Sequence, residues 1–221
     1  MHPEIAAFPN EMFYQKEQLE PVPLRHQTDT SLHYELPSED EVDDMLKQER
    51  VIFIEANEAY KPHMPHMPNM PYAPLSNKAN PKEARIVADL LRRIYRFYGP
   101  CFDADKTVGV IVPYRNQITM IRQEIEKLGI QELENISIDT VERYQGSQRD
   151  VIVYSFTVSR PYQLDFLTSN CFVEDHCVID RKLNVAITRA RKQLIMTGNK
   201  EILCQNSIFR QLIARYQKKI I

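Results

Sequence analysis

Five short runs of apolar and β-branched residues constrain the fold of this chain more than any other feature of its sequence. The runs lie at 51–54, 108–112, 136–139, 151–156 and 193–197. Most of them are continuously apolar rather than alternating, which is typical of strands that are covered on both faces. Segments with helical periodicity separate them. The pattern predicts an α/β fold in which a mostly parallel sheet is flanked by helices and connected by right-handed crossovers.

Helix signals support this alternation. A stripe of apolar residues begins just after Asn80, which is placed to cap a helix. A second stripe covers 118–128 and ends at Gly129, a natural stop signal. Ahead of the first strand, Ser38 and Glu41 have the spacing of a capping box and predict a shorter helix.

The same features divide the chain into segments. Residues 1–50 are expected to be a lead-in to the domain, and residues 51–221 the domain itself. The proline-rich stretch at 60–76 is incompatible with regular helix or central strand and is expected to be a surface loop. Residues 159–180 are expected to form an irregular excursion at the edge of a site.

Composition excludes several classes of protein. The 221 residues are 43% hydrophobic, which is enough to build a substantial core. No run approaches the length of a membrane span, and the N-terminus lacks the pattern of a signal peptide, so we expect a cytoplasmic location. The formal net charge of -2 excludes a globally basic nucleic-acid binder, and any contact with phosphate must come from a local patch.

The cysteines predict neither a disulfide framework nor a metal site. The 4 cysteines include no CxxC pair, so free thiols in a reducing compartment are expected. Cys171, His176 and Cys177 are close enough in sequence to be considered as zinc ligands, but a fourth ligand has no obvious candidate. We therefore predict no metal site.

Polar side chains follow the second predicted strand directly. The segment GVIVPYRNQ runs from a buried strand into Pro113, Tyr114 and Arg115. A cation and backbone N–H groups at a helix N-terminus can contact phosphate oxygens, and an aromatic ring can stack on a base. The segment is therefore a candidate for contact with a phosphodiester backbone.

A second polar segment surrounds a single glycine. The stretch SIDTVERYQGSQRDVIVYSF is expected to run strand, tight turn, strand, and Gly146 permits a backbone conformation or a close approach that a side chain would block. Thr140 and Gln145 are expected at the carboxyl end of the third strand, where open α/β sheets bind ligands. A polar surface turn remains the alternative interpretation.

A third segment, LNVAITRARKQLIMTGN, contains two arginines near its centre. A helix is predicted over 181–191, with its apolar face on the sheet. On that helix Arg189 and Arg191 project to nearly opposite sides, so they cannot serve one ligand together. Alternatively, both arginines are solvated or paired with carboxylates such as Asp180 or Glu201.

These three segments resemble motifs IV, V and VI of superfamily 1 helicases, in that order. GVIVPYRNQ resembles motif IV, TVERYQGSQRDVIV resembles motif V, and DRKLNVAITRARKQLIMTGN resembles motif VI. The opening stretch MHPEIAAFPNEMFYQKEQL is similar to the family's sequence just after motif III. The similarity is to the branch that includes the RNA helicase of nonsense-mediated decay, and it covers the chain from near Met1 to about Asn199.

The resemblance implies the second RecA-like domain of a helicase, with a P-loop NTPase fold. In such enzymes ATP and Mg²⁺ bind between two RecA-like domains, and Arg189 matches the arginine finger that acts on the γ-phosphoryl group. Gly146 and Gln148 match motif V positions near the nucleotide, whereas Arg191 is expected to anchor the helix. Single-stranded DNA or RNA is expected to contact the positions matching motifs IV and V, namely Pro113, Tyr114, Arg115 and Thr140.

The sequence departs from the family pattern in two respects. Gln148 stands where the family usually has Glu, and no GxxxxGK[ST] phosphate loop is present among the 5 glycines. We therefore expect the chain to be catalytically silent by itself, with ATP and Mg²⁺ bound only together with an N-terminal RecA-like domain.

The alternative is a noncatalytic domain that binds nucleic acid or protein and retains the fold. A dinucleotide-dependent oxidoreductase would need a GxGxxG turn, which is missing.

Overall fold

The computed structural model describes residues 1–57, 78–144, 146–174 and 177–217. The proline-rich stretch at 60–76 lies outside these ranges, as do Gln145 and His176. The strands are β1 (Val51–Glu55), β2 (Val108–Val112), β3 (Ser137–Thr140), β4 (Arg149–Ser155), β5 (Cys171–Glu174), β6 (Cys177–Asp180) and β7 (Ala190–Gly198). The helices are α1 (Pro3–Met12), α2 (Arg25–Thr28), α3 (Glu41–Gln48), α4 (Pro81–Tyr98), α5 (Arg115–Glu126), α6 (Gln131–Glu134), α7 (Gln163–Leu167), α8 (Arg181–Thr188), α9 (Lys200–Leu203) and α10 (Ser207–Tyr216).

The predicted parallel sheet is confirmed. Five strands pair in the order β1-β7-β4-β2-β3, and every neighbouring pair is parallel. All residues of β2, from Val108 to Val112, are buried, which agrees with its continuously apolar sequence. The architecture is the α/β fold of a RecA-like domain.

Two hydrophobic layers cover the two faces of the sheet. In β4, Ile152 and Tyr154 pack on one face with residues of α1, α8 and α10, whereas Val151 and Val153 pack on the other with residues of α3, α4 and α5. This alternation follows from the two-residue period of a strand. Among the described helices, none is both long enough and apolar enough to span a bilayer.

Two of the helix signals are confirmed. The side chain of Asn80 caps α4 by accepting a hydrogen bond from Glu83 N at 3.2 Å. After α5 the chain turns at Gly129, which has a φ of +64°. A residue with a Cβ rarely adopts that conformation, so glycine ends the helical segment there.

The capping box predicted from Ser38 and Glu41 is wrong in its position. Glu41 is the first residue of α3, and the cap is Asp40, whose Oδ1 accepts from Asp43 N at 3.0 Å. The Asp43 carboxylate reaches back and accepts from Glu39 N at 2.8 Å. A carboxylate immediately before the helix reaches the free N–H groups of the first turn, whereas Ser38 lies too far upstream.

The stretch 159–180 is not irregular, contrary to the expectation. It contains the short helix α7 and an antiparallel hairpin of β5 and β6, in which Cys171 pairs with Asp180. The turn into α7 is organised by Gln163, whose Oε1 accepts from Ser159 N at 2.8 Å and Arg160 N at 2.7 Å. Side-chain hydrogen bonds of this kind carry no periodic sequence signal.

The connection between β3 and β4 is a crossover rather than the predicted tight turn. Both strands run parallel to β2, which lies between them, so residues 141–148 return from the carboxyl edge of the sheet to its amino edge. The connection passes over β2 at Gly109, where a Cβ would overlap the hydroxyl of Tyr144. Gly109 therefore makes room for this passage.

Candidate functional site

The predicted site residues lie on two opposite edges of the parallel sheet. Gly146, Gln148 and Arg189 immediately precede β4 and β7, at the amino ends of the strands. The other predicted residues lie at the carboxyl ends of β2 and β3 and at the start of α5: Pro113, Tyr114, Arg115 and Thr140. At about 3.3 Å per residue, a five-residue strand such as β2 separates the two edges by roughly 13–17 Å. The two groups therefore belong to two different sites.

Arg189 caps the C-terminus of α8 and lies beside the glycine-containing crossover. Its Nε donates to Val185 O at 3.2 Å and its Nη2 to Thr188 Oγ1 at 3.1 Å. Its own carbonyl accepts from Arg149 N at 3.1 Å, which ties the helix end to the start of β4. The guanidinium is therefore held by the last turn of its own helix, while the backbone of Arg189 lies beside the start of β4.

Among the residues that the structure describes, Arg189 forms no ion pair. Burial lowers the pKa of this half-buried guanidinium below its ordinary value, and the nearby Tyr14 acts in the opposite direction. Asp180, one of the carboxylates considered as a partner, instead caps α8 at its other end by accepting from Leu183 N at 3.0 Å. A partly desolvated cation without a carboxylate partner is suited to an anionic ligand.

Arg191 does not lie on the helix predicted over 181–191. That helix ends at Thr188, and Arg191 lies in β7 because the chain extends as soon as Ala190 pairs with Arg149. The Arg191 guanidinium contacts Asp150 Oδ1 at 3.9 Å and donates to Gln148 O at 3.4 Å. It anchors the end of the crossover to the sheet, rather than anchoring α8.

The need for glycine at position 146 comes from backbone conformation. Gly146 has a φ of +87°, and apart from its immediate chain neighbours no atom of the described residues lies within 4 Å of the point where a Cβ would be. The space beside it is therefore open. Gln148 exposes its side chain, while its carbonyl accepts from Arg149 Nη1 at 2.9 Å as well as from Arg191. The preceding residue, Gln145, lies outside the described ranges.

At the carboxyl edge, the ring of Tyr114 is covered. It is only 7% exposed and stacks on Phe166 of α7, with 4.9 Å between the ring centroids and an interplanar angle of 25°. The Nζ of Lys182 lies 4.0 Å from the centroid of the same Phe166 ring. Burial raises the pKa of Tyr114, with a smaller contribution from Tyr162. The expectation that this ring is open to stack on a base does not hold in this conformation.

Phe166 and Lys182 are parts of this edge that the sequence patterns did not identify. Phe166 contacts Tyr114 from 52 residues away, and Lys182 contacts Phe166 from 16 residues away, so no local pattern marks either residue. Glu142, on the crossover, lies 3.5 Å from Lys182 Nζ and completes the group. The carboxyl edge therefore carries two stacked rings, Tyr114 and Phe166, with the ammonium group of Lys182 over the second ring.

The remaining residues of the carboxyl edge lie next to one another. Val112, the last residue of β2, pairs with Thr140, the last residue of β3. Pro113 directly follows Val112 and therefore lies beside Thr140. Pro113 is buried, Thr140 is half-buried and Arg115 is exposed in the first turn of α5. The first-turn N–H groups of a helix and an exposed arginine together favour an anion such as a phosphodiester.

The described part of the chain contains no group of three or more potential metal ligands. Cys101, Cys171, Cys177 and Cys204 are all free thiols. The zinc alternative weighed for Cys171 and Cys177 also involved His176, which lies outside the described residues.

Comparisons with known proteins find one matching family model and several relatives that are helicases. A family model described as an AAA domain matches residues 1–201. An uncharacterized ATP-dependent helicase of Methanocaldococcus jannaschii is 29% identical over 214 residues, which are 96% of this chain and 27% of the relative. The DNA polymerase alpha-associated DNA helicase A of Saccharomyces cerevisiae is 34% identical over 131 residues, 58% of this chain and 17% of that protein. Regulator of nonsense transcripts 1 of Dictyostelium discoideum is 34% identical over 115 residues, 51% of this chain and 8% of that protein. The chain thus spans about a quarter or less of the length of these relatives.

Proposed function

Because the chain belongs to the AAA domain family and is a domain of the helicase type, we propose that it is the C-terminal motor domain of an ATP-dependent superfamily 1 helicase or translocase. In this proposal an N-terminal RecA-like domain of the same protein faces the amino edge of the sheet, and ATP and Mg²⁺ are held between the two domains. Single-stranded DNA or RNA contacts the carboxyl edge.

The position of Arg189 is the observation that carries the proposal. Its guanidinium is half-buried, is held by Val185 O and Thr188 Oγ1, and forms no ion pair with any described residue. A bound nucleoside triphosphate supplies the phosphoanhydride bond that is hydrolysed. Arg189 is then the cation that stabilises negative charge on the phosphoryl oxygens in the transition state.

The neighbours of Arg189 supply only part of a nucleotide site. The space beside Gly146 is open, and the side chain of Gln148 is exposed next to it, so a polar ligand can approach the backbone there. The sequence has no phosphate loop of the GxxxxGK[ST] type. We therefore infer that this chain alone neither binds ATP tightly nor hydrolyses it.

The carboxyl edge supplies the nucleic-acid surface in this proposal. Exposed Arg115 and the N–H groups at the start of α5 contact phosphate oxygens in this proposal. Thr140 lies beside them, and its hydroxyl is hydrogen-bonded to Glu142. Contacts of this kind read the backbone rather than the bases.

Replacing Arg189 by alanine tests the proposal. In a protein that carries this domain behind a phosphate-loop domain, Arg189→Ala is expected to lower nucleic-acid-stimulated ATP hydrolysis by about 10³-fold or more, while ATP binding persists. Steady-state hydrolysis with a saturating dT oligonucleotide and binding of a fluorescent ATP analogue measure the two quantities. The matched control is Arg210→Ala, an exposed arginine on α10 that donates to Cys204 O at 2.8 Å.

Unchanged hydrolysis in Arg189→Ala would contradict the assignment of the finger. Equal losses in Arg189→Ala and Arg210→Ala would also contradict it, because a general loss of folded protein would then explain both.

A noncatalytic binding domain is the second candidate function. The amide of Gln148 in place of the family's usual carboxylate, together with the missing phosphate loop, is the observation that favours it. This candidate predicts binding of single strands that does not respond to ATP in any longer form of the protein. Binding of labelled dT oligonucleotide with and without ATP separates the two functions.

A further inference from the structure

Glu83 is a fully buried carboxylate that neither proposed site uses. It lies in the first turn of α4, and its side chain is 0% exposed. Its Oε2 accepts from Ser155 Oγ at 2.7 Å, Thr157 N at 3.0 Å and Thr197 Oγ1 at 3.2 Å. Its Oε1 accepts from Asn80 Nδ2 at 3.0 Å. Four donors around one carboxylate form a satisfied buried network, which is how a buried charge is tolerated.

The network joins the carboxyl ends of the two central strands. Ser155 is the last residue of β4 and is paired in register with Thr197 of β7. Both hydroxyls donate to the same oxygen of Glu83, so α4 is fixed to both strands at the edge where nucleic acid is proposed to bind.

The network also holds a strained backbone position. Thr157, two residues beyond β4, has a φ of +58°, although a β-branched residue is an outlier in that region. Its N–H donates to Glu83, so the buried carboxylate offsets part of the cost of this conformation. The bend at Thr157 sends the chain toward α7, whose Phe166 covers Tyr114.

A second branch of the network leads to the start of α5. Asn80, the residue that caps α4, donates from its backbone N to Gln117 Oε1 at 2.7 Å and accepts from Gln117 Nε2 at 3.1 Å. Gln117 is 0% exposed and lies in the first turn of α5, beside Arg115 and Tyr114. Both segments that flank Tyr114 are therefore connected to the Glu83 carboxylate.

We propose that Glu83 is a positioning residue for the nucleic-acid edge. It holds the bend at Thr157, and thereby the cover over Tyr114, and it holds the first turn of α5 through Asn80 and Gln117. The inference rests on the proposed function, because the proposed function assigns single-stranded nucleic acid to this edge. A single buried carboxylate then sets the shape of a surface that it does not itself reach.

Glu83→Gln tests the inference, because it keeps the shape of the side chain and changes one oxygen from acceptor to donor. In the glutamine, the amide NH2 faces a donor whichever way the side chain is turned: Asn80 Nδ2 on one side, or Ser155 Oγ, Thr157 N and Thr197 Oγ1 on the other. In the 221-residue chain, we expect the Kd for a fluorescent dT oligonucleotide at low salt to rise about tenfold. We expect amide hydrogen exchange of 156–167 and 114–118 to accelerate, with no matching change at 146–149. Above pH 7, where the wild-type carboxyl is ionised, the melting temperature is expected to stay the same or rise, since removing a buried charge relieves its desolvation cost.

A merely structural role would lower the melting temperature together with the affinity. A rise in Kd without a fall in melting temperature therefore identifies a positioning role. Ser155→Ala, which removes one of the four donors, is expected to raise the Kd by a smaller factor and serves as a milder variant if Glu83→Gln folds poorly. The matched control is Glu124→Gln, a buried carboxylate on α5 that pairs with Lys127; it is expected to leave the Kd unchanged.

Three results would overturn the inference. If the wild-type chain binds the oligonucleotide and both Glu83→Gln and Ser155→Ala bind it equally well, Glu83 does not position the edge and the proposed function stands. If both variants lose affinity only in proportion to a fall in melting temperature, the network is structural. Failure of the wild-type chain to bind any single strand removes the proposed nucleic-acid function, and the inference falls with it.

Discussion

Two arginines separated by one residue have different roles because they lie on different elements. Arg189 caps α8 and keeps its guanidinium on its own helix, whereas Arg191 lies in β7 and contacts Asp150. The sequence placed both on one helix, which is wrong, because the helix ends at Thr188 and Arg191 lies in β7. The strand begins earlier than its apolar run because Ala190 pairs with Arg149, a contact that no local pattern reveals.

At Gly109, a single methyl group is expected to be costly. Gly109→Ala would bring a Cβ into the Tyr144 hydroxyl, so we expect it to lower the free energy of unfolding by roughly 1–3 kcal/mol. Urea denaturation measures the change. Adding Tyr144→Phe removes the overlapping hydroxyl and is expected to recover part of the loss; strict additivity of the two substitutions would contradict this explanation.

The buried carboxyl of Glu83 is expected to make stability depend on pH. Burial raises its pKa from 4.5 to about 7, against the opposing hydrogen bonds from Ser155, Thr157, Thr197 and Asn80. The folded state therefore binds this proton more tightly than the unfolded state. The resulting contribution to the free energy of unfolding is fully present below about pH 4.5 and is lost as the pH rises through 7.

Comparing wild type with Glu83→Gln isolates this contribution, because all other titrating groups are shared. The melting temperature of the variant relative to wild type is expected to increase between pH 5 and 8. A constant difference across that range would show that Glu83 does not titrate there.

At the scale of elements, most local signals predicted the structure well, with the capping box at Ser38 as the exception, whereas features that depend on long-range contacts were missed. Continuous apolar runs predicted the five parallel strands, and Asn80 and Gly129 predicted two helix ends. Strands and helix ends of this kind are set by residues close together in sequence. The crossover 141–148 was missed because its course follows from the strand order, which places β2 between β3 and β4. The stacking of Phe166 on Tyr114 was missed because these two residues are far apart in sequence. Phe166 reaches Tyr114 only in the folded chain.

A buried cluster of charges joins α3 to α4. Arg93 is 1% exposed and contacts Asp40 at 2.7 Å, Asp43 at 2.8 Å and Asp89 at 2.9 Å. Burial acts to raise the pKa of Asp43, but hydrogen bonds from Glu39 N and Arg93 outweigh it and lower the pKa overall. The cluster therefore fixes the packing of these two helices through charge rather than apolar contact.

Removing the central cation of this cluster is expected to be strongly destabilising. Arg93→Met leaves Asp43 and Asp89 buried with less compensation, so we expect a loss of about 3–5 kcal/mol in the free energy of unfolding. The control is Arg92→Met on the same helix, which pairs with Asp89 at 3.1 Å but is partly exposed and is expected to cost about 1 kcal/mol or less. Similar losses in the two variants, measured by urea denaturation, would contradict the importance of burial.

The whole molecule carries its two candidate sites on opposite edges of one sheet. Few cations lie at the carboxyl edge, and the net charge of the chain is -2. We expect the isolated chain to bind single strands weakly, with log Kd rising as salt increases. Contact with about three phosphates gives a slope of roughly 2 in a plot of log Kd against log salt concentration. Fluorescence anisotropy between 25 and ~200 mM salt measures it; tight binding that is insensitive to salt would contradict a phosphate-based surface.

The crossover that passes over Gly109 has a mechanical consequence. It has only the residues between Thr140 and Arg149 with which to traverse the height of the sheet and one intervening strand, and its first turn is coiled by the bond from Tyr144 N to Thr140 O at 3.1 Å. Because so few residues connect Gly146 at the amino edge to Thr140 at the carboxyl edge, we expect a change of backbone conformation at one edge to alter the other.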